Sequence, residues 1–235
     1  MNTINWCGVD FEPCMEGGRI IHPNEPWCWY SLEEVHTNED GSIDLGVSCE
    51  PKEIKYWDGK TYHPQWKTGR MRSIQDFGYG TFSADIMAPK GRNLCSAFWL
   101  CGVGRWPDHG EIDIYEAWSS NNASYYRFPL SWDTTNNVHY LDFVTEDHKH
   151  VKSRGVGILK QASRPQGTFV NYKAEWRPNK VTFFVNDKKV RTVGWDVCKN
   201  FYGSRMKVIF DILPNGTSFS FDDCMKIKNF RYEEL

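Results

Sequence analysis

Short runs in which apolar and polar residues alternate are the feature that most limits how this chain can fold. Residues 81–86 and 181–185 follow the two-residue period of a half-buried strand, and no stretch shows convincing helical periodicity. Turn signals separate the runs at the spacing typical of an antiparallel sandwich or barrel, with a hairpin turn at residues 185–190. The predicted strands are residues 69–74, 80–87, 97–101, 111–117, 138–144, 172–176, 180–185, 207–212 and 225–232.

Nothing in the sequence divides the chain into parts. Repeats, low-complexity tracts and linkers are absent, and an all-β unit of 235 residues is routinely one domain. We therefore expect a single domain over residues 1–235. The part before about Gly69 is irregular and rich in tryptophan, tyrosine and proline, a composition found in loops that form the walls of a cleft.

The charge balance argues against a nucleic-acid partner. Lysine and arginine total 28 and aspartate and glutamate total 30, a formal net charge of -2 with no basic stripe to follow a phosphate backbone. No apolar stretch approaches membrane-spanning length, so we expect no membrane partner. Residues 1–14 lack the apolar run of a signal peptide, so the sequence as given predicts no export signal.

Aromatic residues make up 15% of the chain, with 11 tryptophans. One interpretation is that these rings fill the core of a sandwich. The other is that some of them line a groove and stack on a ligand, since their number exceeds what an ordinary core uses. The sequence leaves both interpretations open.

Eight cysteines, an even number, would suit disulfides in a secreted chain, although their pairing cannot be deduced. No C-x-x-C pair occurs, and the nearest spacings are too loose for a zinc site, so we expect no zinc. The cysteines are Cys7, Cys14, Cys28, Cys49, Cys95, Cys101, Cys198 and Cys224.

Three carboxylates in one apolar run give the strongest functional signal. Glu111, Asp113 and Glu116 fall within six residues of a predicted strand. In a regular strand Glu111 and Asp113 share one face, whereas Glu116 points to the other. One extra residue near Ile114 or Tyr115, a β-bulge, would bring all three acids to the same face.

Three acids on one face have two interpretations. They can be a solvated strand face or a calcium-binding edge with no chemistry. Alternatively, retaining glycoside hydrolysis needs two carboxyl groups about 5 to 5.5 Å apart, one to attack the anomeric carbon and one to protonate the leaving oxygen. Like charges this close raise the pKa of at least one group, which supplies an acid at neutral pH.

The run Glu-Ile-Asp-Ile-Tyr-Glu at residues 111–116 resembles the bulged E-x-D-x-x-E signature of glycoside hydrolase family 16. The resemblance extends over roughly residues 68–232 and implies an all-β, concanavalin-like jelly-roll sandwich of two antiparallel sheets with a concave, open cleft. It also implies endo attack on a polysaccharide and a single catalytic domain. The other segments that resemble the family, in its order, are residues 68–71, 77–82, 88–91, 97–100, 106–107, 172–178 and 181–186.

By position in that signature, the resemblance assigns catalytic roles to the three acids. It makes Glu111 the nucleophile, and Asp113 the group that orients and tunes it. Glu116 becomes the general acid and then the base that activates water. That chemistry requires no metal and no cofactor, and we expect neither.

The resemblance also implies substrate-binding residues. Trp106, Trp118 and Trp99 are placed like the family's sugar-stacking rings, although Trp99 would fit a core equally well. His139 matches a histidine that could hydrogen-bond to a carboxylate or to substrate, or it is an ordinary sheet residue.

The chain also departs from the family pattern. It has Ser83 and Asp85 where the family often has glutamate and arginine, and Asp211 where the family often has asparagine. Residues 228–231, Lys-Asn-Phe-Arg, replace a strand that commonly contributes an aspartate to a structural calcium site. We therefore expect no metal there.

The implied substrate is a β-linked polysaccharide. A laminarin-like β-1,3-glucan is the first choice, and agar, porphyran or carrageenan galactans are the alternative. A non-catalytic lectin-like module and a transglycosylase remain rival interpretations. We expect a monomer that acts outside the cell, where such polymers occur.

Overall fold

The computed structural model describes residues 3–12, 20–22, 25–56, 58–89, 94–118, 134–141, 151–153, 157–159, 167–214 and 224–235. These residues contain one α-helix, α1 (Trp195–Cys198), and two 3-10 helices, Leu32–Glu34 and Lys199–Phe201. The strands are β1 Ile4–Trp6, β2 Val9–Glu12, β3 Ile20–His22, β4 Glu25–Ser31, β5 Val35–Thr37, β6 Ile43–Leu45, β7 Val47–Cys49, β8 Ile54–Lys55, β9 Thr61–Tyr62, β10 Trp66–Ser73, β11 Gly80–Met87, β12 Leu94–Gly102, β13 Glu111–Trp118, β14 Thr134–Leu141, β15 Val151–Ser153, β16 Gly157–Leu159, β17 Val170–Arg177, β18 Lys180–Val185, β19 Lys188–Val193, β20 Met206–Pro214 and β21 Met225–Glu234.

Two large sheets form the sandwich that the sequence predicts. The first has 12 strands with the central order β1-β2-β10-β20-β12-β13-β14-β15, and the second has 7 strands in the order β19-β18-β17-β11-β21-β6-β5. Pairing is antiparallel except between β10 and β4. Every predicted strand is present, and only residues 142–144 of the predicted 138–144 strand lie outside the described residues.

The expectation of an irregular N-terminal third is wrong. That part of the chain forms β1 to β9, of which β4 has seven residues and the others two to four, and several of them extend the twelve-stranded sheet. β4 runs parallel to β10 from Cys28 opposite Trp66 to Ser31 opposite Gly69. Strands of two to four residues have too few positions for an alternating pattern to be recognised in the sequence. Their stability comes from the neighbouring strands with which they pair.

The core lies between the two sheets and follows their alternation. In β11, Phe82, Ala84 and Ile86 are fully buried, while the residues between them are partly exposed. Phe98 of β12 stacks on Phe210 of β20, with ring centroids 4.5 Å apart. Tyr115 of the first sheet meets Tyr172 of the second at 4.5 Å, which ties the two sheets together.

The tryptophans divide between the two interpretations. Trp176 is 1% exposed and belongs to the core, whereas Trp106 and Trp195 are 48% and 51% exposed. Both sheets therefore use aromatic side chains for packing, and other aromatic side chains remain available at the surface.

The predicted hairpin at residues 185–190 joins β18 and β19. Its two turn residues, Asn186 and Asp187, have φ of 47° and 60°. Positive φ at both central positions matches the twist of the flanking strands, and asparagine and aspartate tolerate it better than most residues.

The disulfide expectation fails for the described cysteines Cys7, Cys28, Cys49, Cys95 and Cys198, which carry free thiols. Three of these, Cys28, Cys95 and Cys198, are buried among apolar and aromatic neighbours, where a thiol packs as a small apolar group.

The position of the expected calcium aspartate holds a cation of the protein itself. The Lys228 ammonium lies over the Phe169 ring, 4.0 Å from its centroid. A lysine at this position supplies no oxygen ligand and repels a nearby cation. Among the described residues, no helix is long and apolar enough to cross a membrane.

Candidate active site

A β-bulge in β13 brings the three acids to one side of the twelve-stranded sheet. On β12, Phe98 pairs with Tyr115, but the next residue, Trp99, pairs with Asp113, so Ile114 has no partner. On the other side, Asp113 pairs with Asn137 and Glu116 with Thr135, which leaves two residues of β13 opposite Asn136. The predicted bulge at Ile114 or Tyr115 is confirmed.

The bulge allows two consecutive residues, Ile114 and Tyr115, to point into the core. Ile112 and Tyr115 are 0% exposed and Ile114 is 2% exposed, all three within the cluster between the sheets. The opposite surface of this sheet, which we call the cleft face, therefore receives Glu111, Asp113 and Glu116. The core packing of β13 thus fixes where its acids point.

Glu111 and Asp113 are joined by His139 from β14. The His139 Nε2 atom lies 3.7 Å from Glu111 Oε1 and 3.3 Å from Asp113 Oδ2. The Asn137 amide lies 3.1 Å from the same imidazole nitrogen. The register explains the cluster, because Glu111 stands directly opposite His139 and Asp113 directly opposite Asn137.

Trp106 reaches the same cluster from the loop between β12 and β13. Its indole N–H donates a hydrogen bond of 2.7 Å to Glu111 Oε2. The Trp106 ring lies 6.4 Å from the His139 ring, and the side chain is 48% exposed. Trp106 therefore holds one oxygen of Glu111 and still offers an open aromatic face.

Burial controls the protonation of the two inner acids. It raises the pKa of Glu111 to about 8, with help from the neighbouring Asp113 charge, while His139 and the Trp106 N–H act in the opposite direction. Burial likewise raises the pKa of Asp113 to about 7, opposed by a hydrogen bond with Glu111. Two carboxyl groups this close hold one proton between them near neutral pH.

Glu116 sits apart from this pair, farther along β13. Its carboxylate accepts from the Thr135 hydroxyl at 3.5 Å, and the small Ala97 is its partner on β12. Glu116 itself is partly exposed, whereas Ala97 is 8% exposed. The site thus has a buried, proton-sharing acid pair and a separate, partly exposed acid.

The tryptophans assigned from the resemblance have different surroundings. Trp99 lies on the cleft face and not in the core, since its neighbours Phe98 and Leu100 fill the core instead. Its indole N–H is 3.4 Å from Asp211 Oδ2. Trp118 ends β13 opposite Cys95, and its side chain lies outside the described residues.

The sequence interpretation assigned no role to Arg70, and gave Asp211 only as a departure from the family. Arg70 Nε lies 3.8 Å from Asp211 Oδ2, and the guanidinium packs 4.5 Å from the Tyr30 ring and 5.3 Å from the Trp99 ring. Burial raises the pKa of Asp211, and Arg70 opposes that rise. The signal that could have revealed the pair was the charge of Asp211 inside the mostly apolar predicted strand at residues 207–212, whereas Arg70 lies in a run with a second arginine and gives no such signal.

The other departures lie elsewhere. Ser83 and Asp85 belong to β11 of the seven-stranded sheet, on its outer face. Asp85 accepts hydrogen bonds from the Asn171 and Asn229 amides at 2.8 and 2.7 Å. They therefore form part of a polar surface remote from the cleft face, so only the Asp211 departure affects the candidate site.

Glu111, Asp113 and His139 could also bind a metal ion, because their ligand atoms lie within 4.8 Å of one another. An ion there would displace the proton that the acid pair shares and would compete with the Trp106 N–H for Glu111. The same groups suit proton chemistry without such an ion, since the pair already holds an acidic proton at neutral pH.

Known proteins resemble this chain in sequence and in fold. The chain is 27% identical over 198 residues to the clotting factor G alpha subunit of Tachypleus tridentatus, covering 80% of this chain and 26% of that protein. It is 24% identical over 204 residues to a glucan endo-1,3-beta-glucosidase of Cryptopygus antarcticus, covering 82% of this chain and 68% of that one. The crystal structure of porphyranase B from Zobellia galactanivorans superposes with a TM-score of 0.73 at 18% identity, covering 95% and 85% of the two chains. The model of glycosyl hydrolases family 16 matches residues 42–228, and the chain belongs to that family.

Proposed function

We propose that this chain is a retaining endo-glycoside hydrolase that cleaves β-1,3-glucan, with residues 1–235 forming one catalytic domain. The observation that supports it best is the bulge in β13, which aligns Glu111, Asp113 and Glu116 on the cleft face. A site that uses all three acids together would explain why Asp113 is buried, why Glu111 is mostly buried and why the strand is interrupted on the way to Glu116.

In the first step, a Glu111 oxygen attacks the anomeric carbon while Glu116 protonates the leaving glycosidic oxygen. Attack needs an ionised Glu111, so the proton shared by the acid pair must then reside on Asp113. The Trp106 N–H at 2.7 Å supports this form, because it donates to the carboxylate of Glu111.

In the second step, Glu116, now ionised, takes a proton from water as the water attacks the glycosyl-enzyme ester. The sugar leaves with its original anomeric configuration, and both glutamates return to their starting states. Asp113 and His139 keep the nucleophile oriented throughout, since His139 Nε2 lies between the two acids.

The choice of β-1,3-glucan as substrate draws on the relative that is named a glucan endo-1,3-beta-glucosidase. The galactan alternative stays open as an outcome of the experiment below. A polymer of either kind is found outside cells, so extracellular action follows from the proposed substrate.

The test compares the parent chain, Glu111→Gln and the control Glu233→Gln on laminarin, mixed-linkage glucan, xyloglucan, agarose, porphyran and κ-carrageenan. Glu233 is exposed on the far sheet, so its amide variant controls for loss of a carboxylate. We expect new reducing ends from laminarin with the parent and the control, and a loss of at least about 10³-fold with Glu111→Gln. Cleavage of a galactan alone would replace the substrate, and binding without any cleavage would favour the lectin-like interpretation.

A further inference from the structure

The exposed apolar side chains of this protein gather at one end of the sandwich. Among the described residues, seven large apolar side chains are exposed, and six of them lie on residues 195–207 or on segments that contact that stretch, Leu235 only by way of Tyr79. A grouped apolar surface marks a binding site more reliably than single exposed residues do. The six are Ile74, Val103, Trp106, Trp195, Tyr202 and Leu235.

Two rings dominate this surface. Trp195 and Tyr202 are 51% and 63% exposed, and their ring centroids lie 5.8 Å apart in an edge-to-face arrangement. We call this pair the aromatic platform.

Tyr79 holds the platform in place from below. Its hydroxyl accepts from the Gly203 N–H at 2.7 Å, and its ring packs 4.8 Å from the buried Trp176 ring. The Tyr202 ring lies 6.3 Å from the Tyr79 ring. These contacts hold Tyr202, and a side chain held in advance loses less conformational entropy when a ligand binds.

The platform is continuous with the loop that bears Trp106. The Val103 N–H donates to the Arg205 carbonyl at 2.9 Å. Gly110 lies so close to Phe201 that a Cβ at Gly110 would fall 2.6 Å from Phe201 Cγ. The loop that bears Trp106 and leads into Glu111 therefore packs directly on residues 201–205, the segment that also carries Tyr202 of the platform.

We propose that Trp195 and Tyr202 form a second glycan-binding site, outside the catalytic cleft, that holds the polysaccharide by stacking on its pyranose rings. This rests on the proposed function for the identity of the ligand. The size of the platform agrees, because two aromatic rings match one or two sugar units, whereas a stable protein partner needs about 800 Å² on each side.

The site adds binding for long chains only. A polymer can occupy the cleft and the platform at once, but a short oligosaccharide fills the cleft alone. Each ring should contribute about a threefold to tenfold gain in affinity for polymer.

Affinity electrophoresis in gels containing laminarin, mixed-linkage glucan, agarose or porphyran tests the proposal. All proteins in the experiment carry Glu111→Gln, so that the polymer is not consumed. To this background we add Trp195→Ala, Tyr202→Ala or, as the control, Val190→Ala, which removes an exposed apolar side chain on β19. We expect one polymer to retard the background and the control, and retardation to weaken about threefold to tenfold with either ring removed. Thermal unfolding confirms that the variants fold.

With Glu111 intact, Trp195→Ala should lower kcat/KM for that polymer by a similar factor and leave kcat/KM for its short oligosaccharides unchanged. Equal retardation of all variants, or no retardation by any polymer, overturns the proposal. So does a concentration-dependent dimer of the parent that Trp195→Ala abolishes, since the platform would then bind a second copy. Retardation that depends on the two rings, without any hydrolysis by the parent, would support this binding site and refute the proposed function. Hydrolysis by the parent, with retardation that does not depend on the rings, would support the proposed function and refute this binding site.

Discussion

At the scale of single residues, the site depends on the contacts that favour or oppose the ionised form of Glu111, whose pKa is raised to about 8. Trp106 donates to one of its oxygens at 2.7 Å, and His139 lies 3.7 Å from the other. Burial and Asp113 act in the opposite direction and raise its pKa. The balance of these contacts should set the pH at which the nucleophile becomes available.

Trp106→Phe tests that balance, because it keeps an aromatic ring and removes only the N–H. A hydrogen bond to a charged group contributes about 1.5 to 3 kcal/mol, so we expect kcat/KM to fall about 10- to 100-fold. The ionisation of Glu111 should also move to higher pH, since the lost hydrogen bond lowers its pKa. The pH profile of kcat/KM is the measurement, with the exposed Val190→Ala as the control, and an unshifted profile would contradict the role.

The buried acids should make the folded state less stable as the pH rises. Their pKa values are raised to about 8 and about 7 in the folded state, so the folded chain binds more protons than the unfolded chain between about pH 4 and pH 8. The free energy of unfolding therefore falls with rising pH across that window.

Glu111→Gln removes this effect for one acid. We expect the variant to gain about 1 to 3 kcal/mol over the parent at pH 8 and little at pH 4. Urea unfolding at the two pH values measures the difference, and Glu233→Gln is the exposed control. A gain of the same size at both pH values would rule out this explanation.

At the scale of elements, the bulge in β13 compensates for one extra residue. Without Ile114 the strand would read Glu-Ile-Asp-Tyr-Glu, which places all three acids on one face of a regular strand. Deletion of Ile114 should therefore preserve the register of Glu111 and Asp113 and return the last glutamate to the cleft face. Substitution by alanine keeps the residue count and loses the side chain alone.

We expect the Ile114 deletion to fold and to retain activity within about 100-fold of the parent, whereas Glu116→Gln should lose at least about 10³-fold. Ile114→Ala is the control, because it loses the packing of the same side chain, about 2 to 5 kcal/mol, and keeps the number of residues in the strand. Reducing-end assays and urea unfolding measure both effects. A folded deletion variant as inactive as Glu116→Gln would show that the bulge itself is required.

Local patterns predicted most strands of six or more residues, but not β4, which has seven residues and pairs with the distant β10. β11 and β18 were predicted with their observed bounds, because alternation along one strand reports directly which face is buried. β1 to β9 were missed, because their pairing depends on distant segments such as β10 and β21. The bulge was predictable from the spacing of three acids, since only one geometry puts them on the same face.

At the scale of the whole molecule, contacts between distant segments could not be predicted from local sequence patterns. Arg70 and Asp211 come together because β10 and β20 are neighbours, and Tyr30 joins them through β4. The aromatic platform depends in the same way on Tyr79 meeting residues 202–203. The composition suggested surplus aromatic rings, but only the fold separates those in the core from those at the surface.

The sandwich should hold together without help from disulfides among its described cysteines. Cys28, Cys95 and Cys198 are buried thiols, and burial raises the pKa of Cys198 to about 12. We expect these three to resist alkylation in the folded protein and to react fully in urea, because the thiolate is the reactive form. Mass mapping of alkylated peptides is the measurement, and fast labelling of the folded protein at these sites would contradict the packing.

The central claim is double displacement at Glu111, and trapping the covalent intermediate tests it most directly. In Glu116→Gln the second step is slow, so an activated aryl β-glycoside of the preferred sugar should leave a glycosyl group on the enzyme. Tandem mass spectrometry of the proteolysed protein should locate that group on Glu111. A glycosyl group on another residue, or turnover without any adduct and with inverted product, would contradict the account.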